Sequence, residues 1–301
     1  MKDNVVRSPL FYVGDKYKLI KEIKNYFPDN IHRFVEPFVG GGSVFMNVDA
    51  HEFLLNDIDS NIIAIHKMLC SYANRTADFY RKIDEFVGGY GLSCSYKEDI
   101  VPKELKKEFV KTFYARFNKS GYERMRSDYN QSASRDVFAL YMLLIYGFNR
   151  MIRFNKSGNF NLPVGNVDLN QNTINALDNY FRLVKVKKPQ WFNVDFEVFV
   201  NHLELESNDF MYLDPPYLIT FSEYNKYWNE ETEVRLLDML NRLDKKNVRF
   251  AISNVTHYKG KVNQLFLDWS QRYVSHPIKS NYISYHDNTN KIFNEVLVTN
   301  Y

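Results

Sequence analysis

His32-Arg33-Phe34-Val35-Glu36-Pro37-Phe38-Val39-Gly40-Gly41-Gly42-Ser43 is the stretch whose reading decides the fold. Its first five residues, built around Phe34 and Val35, read as a short buried strand. The three glycines then make a turn whose backbone can pass close to a ligand and take φ values closed to other residues. A helix is expected from about Val44. A second strand, Glu52-Phe53-Leu54-Leu55, ends in Asn56-Asp57, and a helix follows over Ile62 to Leu69. An earlier helix is read from about Lys16 to Tyr26. This βαβα alternation begins a parallel sheet with crossover helices. A glycine turn at the carboxyl edge of such a sheet is where nucleotide-like cofactors dock.

Outward from this start the rhythm changes. From Ser71 to about Lys188 the chain reads as helical segments and polar loops rich in Asn, Tyr and Arg. Strand patterns return at Trp191 to Val194, Phe210 to Leu213, Val248 to Ile252 and Val296 to Val298. The fold class expected is α/β, an αβα Rossmann-like sheet interrupted by an inserted, mostly helical region. The boundaries read as 1–70 for the first part of the sheet domain, 71–188 for the insertion and 189–301 for the second part.

With 301 residues, 45% of them hydrophobic, the chain can build one large domain or a core domain with an insertion. It holds no long uncharged apolar stretch, so no membrane association is expected, and Met1-Lys2-Asp3-Asn4 does not read as a signal peptide. Cys70 and Cys94 are the only cysteines, which argues against a disulfide framework or a zinc cluster. No metal is expected, and a soluble, reducing, cytoplasmic setting follows. The net charge is only +3, but between His66 and Gln190 there are 21 Lys/Arg against 12 Asp/Glu. A basic middle between acidic ends fits a nucleic-acid-facing insertion. Mixed-sign runs such as Lys103 to Lys111 fit an ordinary solvated helix face equally well.

The chemistry is concentrated in Asp214-Pro215-Pro216-Tyr217, directly after the strand Phe210 to Leu213. The Asp214 carboxylate and the Pro215 carbonyl can accept the two N–H bonds of a planar amino group while the Tyr217 ring stacks on it. Proline fixes φ and supplies no N–H, so the corner keeps one shape. This suits methyl transfer to an exocyclic amine; the plainer reading is a Pro-Pro turn whose Asp caps the next element. Asp57, at the end of the second strand, can accept hydrogen bonds from ribose hydroxyls, or else cap the helix starting near Ser60. Phe38 and Tyr217 are aromatic faces suited to a cationic sulfonium. Asp195 and Phe196 read either as a partner for an adenine amino group and a cover for its ring, or as a loop-start Asp and a core Phe. The loop lacks a regular G-x-G-x-x-G, which disfavours a dinucleotide-dependent oxidoreductase.

Together the motifs resemble the Dam-like family of DNA adenine-N6 methyltransferases of the alpha arrangement. The matching segments are Ser8 to Tyr17, Phe34 to Ser43, Leu55 to Asp59, Asn149 to Pro163 and Tyr212 to Tyr217, spread over nearly the whole chain. The resemblance implies transfer of a methyl group from S-adenosyl-L-methionine to the N6 amine of a flipped adenine in double-stranded DNA. It implies cofactor contacts from Tyr12, Lys16, Phe38, Gly40, Asp57, Asp195, Phe196 and Asp214, and catalysis by Asp214, Pro215 and Tyr217. It makes the insertion a target-recognition domain, with Asn149, Arg153, Asn155 and Pro163 near the DNA bases and a short, G-A-T-containing target. A restriction-modification setting, with a cognate restriction endonuclease acting separately and no obligate protein partner, is also implied. Two departures are Gly14-Asp15 before Lys16, where the family usually has Gly-Gly, and Tyr12 in place of the commoner tryptophan.

Some alternatives fare worse on the residues. Cytosine-C5 chemistry needs a nucleophilic cysteine, usually after proline, whereas Cys70 follows Leu69 and Cys94 follows Ser93. Cytosine-N4 methylation is chemically adjacent, since it also attacks an exocyclic amine. RNA or protein-glutamine methylation usually goes with Asn-Pro-Pro-Tyr and a shorter interval after the glycine loop. A non-catalytic DNA-binding protein on the same scaffold is a further alternative. Tyr224, Tyr227 and Trp228 read as a loop closing over the flipped base or as plain surface packing.

Overall fold

The computed structural model describes residues 5–220, 228–279 and 293–301. Among these, eight strands are formed: β1 (Ile31–Glu36), β2 (Ala50–Asn56), β3 (Gln190–Phe192), β4 (Phe210–Leu213), β5 (Arg249–Tyr258), β6 (Lys261–Val262), β7 (Val274–Ile278) and β8 (Phe293–Thr299). The α-helices are α1 (Ile20–Ile23), α2 (Ser43–Met46), α3 (Ser60–Tyr72), α4 (Thr76–Tyr90), α5 (Lys103–Glu108), α6 (Phe113–Gln131), α7 (Val137–Tyr146), α8 (Gln171–Lys187), α9 (Phe196–Asn201), α10 (Glu230–Lys245) and α11 (Gln264–Ser270). The chain divides into two compact units. A helical unit holds residues 1–15, 40–46 and 59–186; a sheet unit holds 16–39, 47–58 and 187–301.

The sheet unit carries every strand, in the order β3-β2-β1-β4-β5-β8-β7, with β6 paired to β5. The first five run parallel, and β8 and β7 complete the sheet through antiparallel pairings. The strands nearest the middle are apolar throughout: all four residues of β4 are buried, as a strand covered on both faces requires. Val35, Leu54, Met211, Leu213 and Ile252 pack with Phe196 and Phe199 of α9, Leu236 and Leu240 of α10, and Phe266 and Trp269 of α11. At the amino-terminal edge Asp209, fully buried, pairs with the Arg33 guanidinium at 2.5 Å.

The direction of strand progression decides where a ligand can sit. From β1 the sheet grows through β2 to β3 on one side and from β4 to β5 on the other. The chain's crossovers therefore reverse between β1 and β4, and ligands of open α/β sheets bind outside the carboxyl ends of the strands at such a reversal. Phe34 pairs with Phe210 and Val35 with Met211, so Glu36 to Phe38 and Asp214 emerge from neighbouring strands at the same edge.

The helical unit is closed by aromatics. Phe79 of α4 contacts Phe138 at 5.6 Å and Phe181 at 5.2 Å between ring centroids. Tyr122, Tyr141, Tyr146 and Tyr180 are fully buried. On α7 the run Leu140 to Tyr146 is buried at every position, so this helix is a core rod, not an amphipathic one. Gly121 of α6 has no room for a side chain, because an added Cβ would collide with the Tyr90 carbonyl oxygen.

Three local expectations change. The helix expected over Lys16 to Tyr26 breaks into a 3₁₀ turn (Lys16–Lys18), α1, and a second 3₁₀ turn (Lys24–Tyr26). The helix after the glycines is a single turn, Ser43–Met46. The strand β7 is not anticipated by the pattern: Val-Ser-His-Pro-Ile lacks alternation and contains Pro277, tolerable because β7 is the last strand of the sheet order. No helix among the described residues is long and apolar enough to cross a membrane.

Candidate active site and recognition segment

At the reversal point in the sheet unit, Asp214 follows β4 as the chain enters Pro215-Pro216. Its Oδ2 receives an ion pair from Lys16 Nζ at 2.8 Å, and its Oδ1 receives the Tyr217 hydroxyl at 2.9 Å. The Asp214 side chain keeps 19% of its surface exposed, whereas Lys16 keeps 5%. An acid left partly open while its cationic partner is buried behind it is poised for a ligand on its open side. The 3₁₀ turn at Lys16–Lys18 explains why the expected helix fails there: Lys16 is turned inward and its ammonium is held by the carboxylate. Lys16 Nζ also lies 5.1 Å from the Tyr217 ring centroid.

A second carboxylate, absent from the sequence reading, completes this group. Glu295 on β8 is 2% exposed, and its Oε1 is 3.0 Å from the Tyr217 hydroxyl and 3.6 Å from Lys16 Nζ. Burial, followed by the charges of Asp214 and Glu295, pushes the Tyr217 phenol well above its ordinary pKa. Tyr212 on β4 is raised likewise by burial and by the charges of Asp214, Glu36 and Glu295. Both tyrosines therefore stay phenols at any working pH.

The carboxyl ends of β1, β2 and β3 are stitched by Asn56, which is 1% exposed. Its amide donates to the Pro37 carbonyl at 3.1 Å and the Val194 carbonyl at 3.0 Å, and its oxygen accepts from Val194 N–H at 3.0 Å. A polar Asn at the end of an apolar strand is the signal available for it. Asn193 likewise donates to the carbonyls of Asp57 and Ile58 at 2.8 and 3.1 Å, fixing the loop that carries Asp57. The cap of α3 is Asp59, whose side chain accepts from Asn61 N–H.

Asp195 is the N-cap of α9, accepting from Glu197 and Val198 N–H, and it pairs with Arg235 at 2.8 Å. Phe196 is 4% exposed. Its ring contacts Phe38 at 5.4 Å and Trp228 at 5.9 Å, and Trp228 meets Phe38 edge-on at 5.6 Å. Phe38 keeps an open side and Phe196 backs it. Trp228 is held by its indole N–H, which donates to the buried Glu233 at 2.6 Å. The Asn254 and Asn263 amides donate to the other Glu233 oxygen at 2.9 and 3.1 Å. Trp228 thus packs with the core; Tyr224 and Tyr227 lie outside the described residues.

In the helical unit the N-terminal segment and the glycine turn meet. The Ser8 hydroxyl donates to the Gly41 carbonyl, and a Cβ at Gly41 would stand 3.0 Å from that of Tyr12. Gly40 and Gly42 have φ of +46° and +80°, so two of the three glycines occupy conformations that other residues avoid. His66 of α3, fully buried, holds the Gly40 carbonyl at 2.9 Å through Nε2 and the Tyr180 hydroxyl at 2.9 Å through Nδ1. Burial lowers its pKa to about 4. The imidazole is therefore neutral, with its proton on Nε2, because a carbonyl can only accept.

The recognition segment follows α7. Asn149 and Arg150 both have positive φ, +54° and +48°; Asn149 is exposed, while the Arg150 guanidinium lies 4.0 Å over the Phe11 ring. Arg153 Nε donates to Asn161 Oδ1 at 2.9 Å, which orients the guanidinium and leaves further donors for a ligand. Asn155 Oδ1 accepts from Ser157 and Asn159 N–H at 3.0 Å each, so its side chain builds the turn that joins Phe154 to Phe160. Pro163 is exposed and its carbonyl accepts from Phe148 N–H at 2.9 Å. Arg124 and Arg126 of α6 donate to the Tyr90 and Leu162 carbonyls at 3.0 and 2.9 Å.

A reversed parallel sheet, a glycine-rich first crossover and an Asp-Pro-Pro-Tyr corner at the reversal define a Rossmann-like methyltransferase fold. Residues 12–286 match the D12 class N6 adenine-specific DNA methyltransferase family, and the chain belongs to that family. It is 34% identical over 310 residues to the Type II methyltransferase M.FokI of Planomicrobium okeanokoites, covering 99% of this chain and 43% of that protein. It is 33% identical over 310 residues to the modification methylase StsI of Streptococcus sanguinis, covering 98% and 43%. A DNA adenine methylase of Escherichia coli is 28% identical over 319 residues, covering 99% of this chain and 95% of the relative. The chain thus spans less than half the length of the first two relatives.

Proposed function

We propose that this chain methylates the N6 amine of an adenine flipped out of a short, specific site in duplex DNA. The observation that carries the reading is Asp214, held at the sheet's reversal by Lys16 and Tyr217 with one side open. The adenine lone pair is conjugated with the ring, so the amine is a poor nucleophile until it is oriented. Asp214 and the Pro215 carbonyl take its two N–H bonds, favour a pyramidal nitrogen and aim the lone pair; Lys16 and Tyr217 keep the carboxylate from rotating. Positioning and charge complementarity supply the rate. A base in a duplex cannot reach this corner, hence the flip, with the Tyr217 ring as its stacking face.

The residues fit S-adenosyl-L-methionine. Asp57, half-exposed just past β2, suits ribose hydroxyls, and Phe38 offers an aromatic face backed by Phe196. Asp195 has one oxygen committed to its cap and Arg235, leaving the other for an adenine amino group. Lys16 and Asp214 complete this set in the sheet unit, and the family resemblance adds Tyr12 and Gly40 to the expected cofactor contacts. When bound, S-adenosyl-L-methionine would supply an electrophilic sulfonium methyl to the oriented amine.

Residues 71–188 act as the target-recognition domain. There Arg153 reads a guanine edge, Asn149 and Asn155 lie beside the bases with Pro163, and the target contains G-A-T. The setting is a cytoplasmic restriction-modification pair whose endonuclease acts separately, with no obligate protein partner. Tritiated-methyl transfer to unmethylated genomic DNA, followed by nucleoside chromatography and modified-base sequencing, tests this. N6-methyladenine in one short motif supports it. N4-methylcytosine keeps the amine chemistry and replaces the base. Cofactor binding without incorporation refutes the catalytic reading and leaves a DNA-binding protein on this scaffold.

A further inference from the structure

The Tyr217 hydroxyl stands between two carboxylates, 2.9 Å from Asp214 Oδ1 and 3.0 Å from Glu295 Oε1. One hydroxyl carries one hydrogen, so it can donate fully to only one of them. The other contact lies at hydrogen-bond distance with no hydrogen of its own to fill it. Glu295 is buried, and its Oε2 has no hydrogen-bond partner among the described residues. A buried carboxylate with spare lone pairs costs stability unless it serves a purpose. The charged and titratable groups that face it are Lys16 on its 3₁₀ turn, Asp214 and Tyr217 after β4, and Tyr212 on β4.

We propose that Glu295 is the terminal acceptor of the proton released by the methylated amine, reached through the Tyr217 hydroxyl. The inference rests on Asp214 being the amine's partner, as argued above. With an amine on Asp214, the Tyr217 O–H turns to Glu295 and its oxygen lone pair faces Asp214. As the nitrogen gains its fourth bond, one N–H bond breaks in the same step and its electron pair stays on nitrogen. The proton passes to Asp214; Asp214 hands a proton to the Tyr217 oxygen as Tyr217 releases its own to Glu295 Oε1. The amine ends neutral, Asp214 is again a carboxylate against Lys16, Tyr217 is again a phenol, and Glu295 is a neutral carboxyl. Tyr217 never ionises along this path, consistent with its strongly raised pKa. Glu295 acts through Tyr217, so it is a positioning residue in the sense that it touches no substrate.

The test is single-turnover methyl transfer to DNA by the full chain, in H2O and D2O, with Glu295→Gln, Tyr217→Phe and the double variant. Tyr217→Phe keeps the stacking ring and removes only the hydroxyl. The expected result is a rate about 100-fold lower for each single variant, the scale of a lost proton-transfer group. The double variant should be no slower than either single one, because both break one chain. The wild type should show a normal solvent isotope effect that both variants lose, while both variants stay folded and bind S-adenosyl-L-methionine as the wild type does. Glu295→Gln at the wild-type rate overturns the proposal, as do losses that multiply in the double variant or an isotope effect that survives. Asp214→Ala separates the two layers. If it is inactive while Glu295→Gln is fully active, only the relay fails; if Asp214→Ala retains transfer, the assignment of the amine site fails with it.

Discussion

Acidification should loosen the glycine turn through His66, and the size of the effect follows from one buried ring. His66 is fully buried and its pKa is lowered from 6.5 to about 4. The folded protein therefore resists protonation that the unfolded chain accepts. Stability tied to neutral His66 is fully present above pH 6.5, erodes as pH falls from 6.5 to about 4, and is lost below that. The shift corresponds to about 3 kcal/mol in full and about 2 kcal/mol by pH 5, at about 1.36 kcal/mol for each pH unit. Protonation also puts a hydrogen on Nδ1, facing the Tyr180 hydroxyl that it now accepts from, which turns that hydroxyl toward Cys70 Sγ at 3.6 Å. Urea unfolding followed by circular dichroism between about pH 7.5 and pH 5, on the wild type and His66→Gln, reads the effect. The stability advantage of the wild type should shrink by about 2 kcal/mol across that range. Parallel pH profiles for the two proteins would show that His66 does not carry the acid sensitivity.

Asp214→Ala should abolish methyl transfer while leaving the fold and most S-adenosyl-L-methionine binding intact, read by transfer assay and calorimetry; retained turnover removes Asp214 from its role. Arg153→Ala should weaken and relax site recognition by about 1–3 kcal/mol, measured as affinity across single-base variants of the target. A uniform loss across those variants would assign Arg153 to phosphate contact instead. Gly42→Ala should destabilise the helical unit by about 2–4 kcal/mol, because φ is positive and the packing tight. The added Cβ stands 2.5 Å from the Phe45 ring and 3.1 Å from His66, and a wild-type melting temperature would show that the turn can relax.

The buried parallel strands are legible in the sequence because a strand covered on both faces must be apolar along its length. Phe210 to Leu213 reads with its observed bounds, and β1, β2 and β3 read to within about two residues at each end. The edge strand β7 does not, since an edge strand carries no such demand. Of the site, Asp214 and Tyr217 stand out in the sequence, Lys16 enters through the family resemblance, and the three fall within one bonded group. Glu295 escapes because an acid in Asn-Glu-Val reads as solvent-facing. Period-two counting places it on the same face as Leu297 and Thr299, both buried, and an acid in phase with a buried face is the available signal. His66 gives a similar one, lying on the face of α3 that buries Ile62, Ile63 and Leu69. Lys16 differs: its helix pattern is sound locally, but a buried ion pair overrides the propensity of the segment.

The charge of the group at the reversal point bears on which chemistry it can serve. Formally Lys16 is one cation facing two carboxylates, at 2.8 Å from Asp214 and 3.6 Å from Glu295. Tyr217 cannot adjust the balance by ionising, because burial and both carboxylates raise its pKa. The group is thus one negative charge in excess in a largely buried corner, where water screens little. A site that stabilised an oxyanion, or gripped a phosphate, would need the opposite sign there. An amine that becomes cationic as it acquires a methyl group gains from this excess only after the new bond begins to form. That differential is what raises a rate instead of merely holding a substrate.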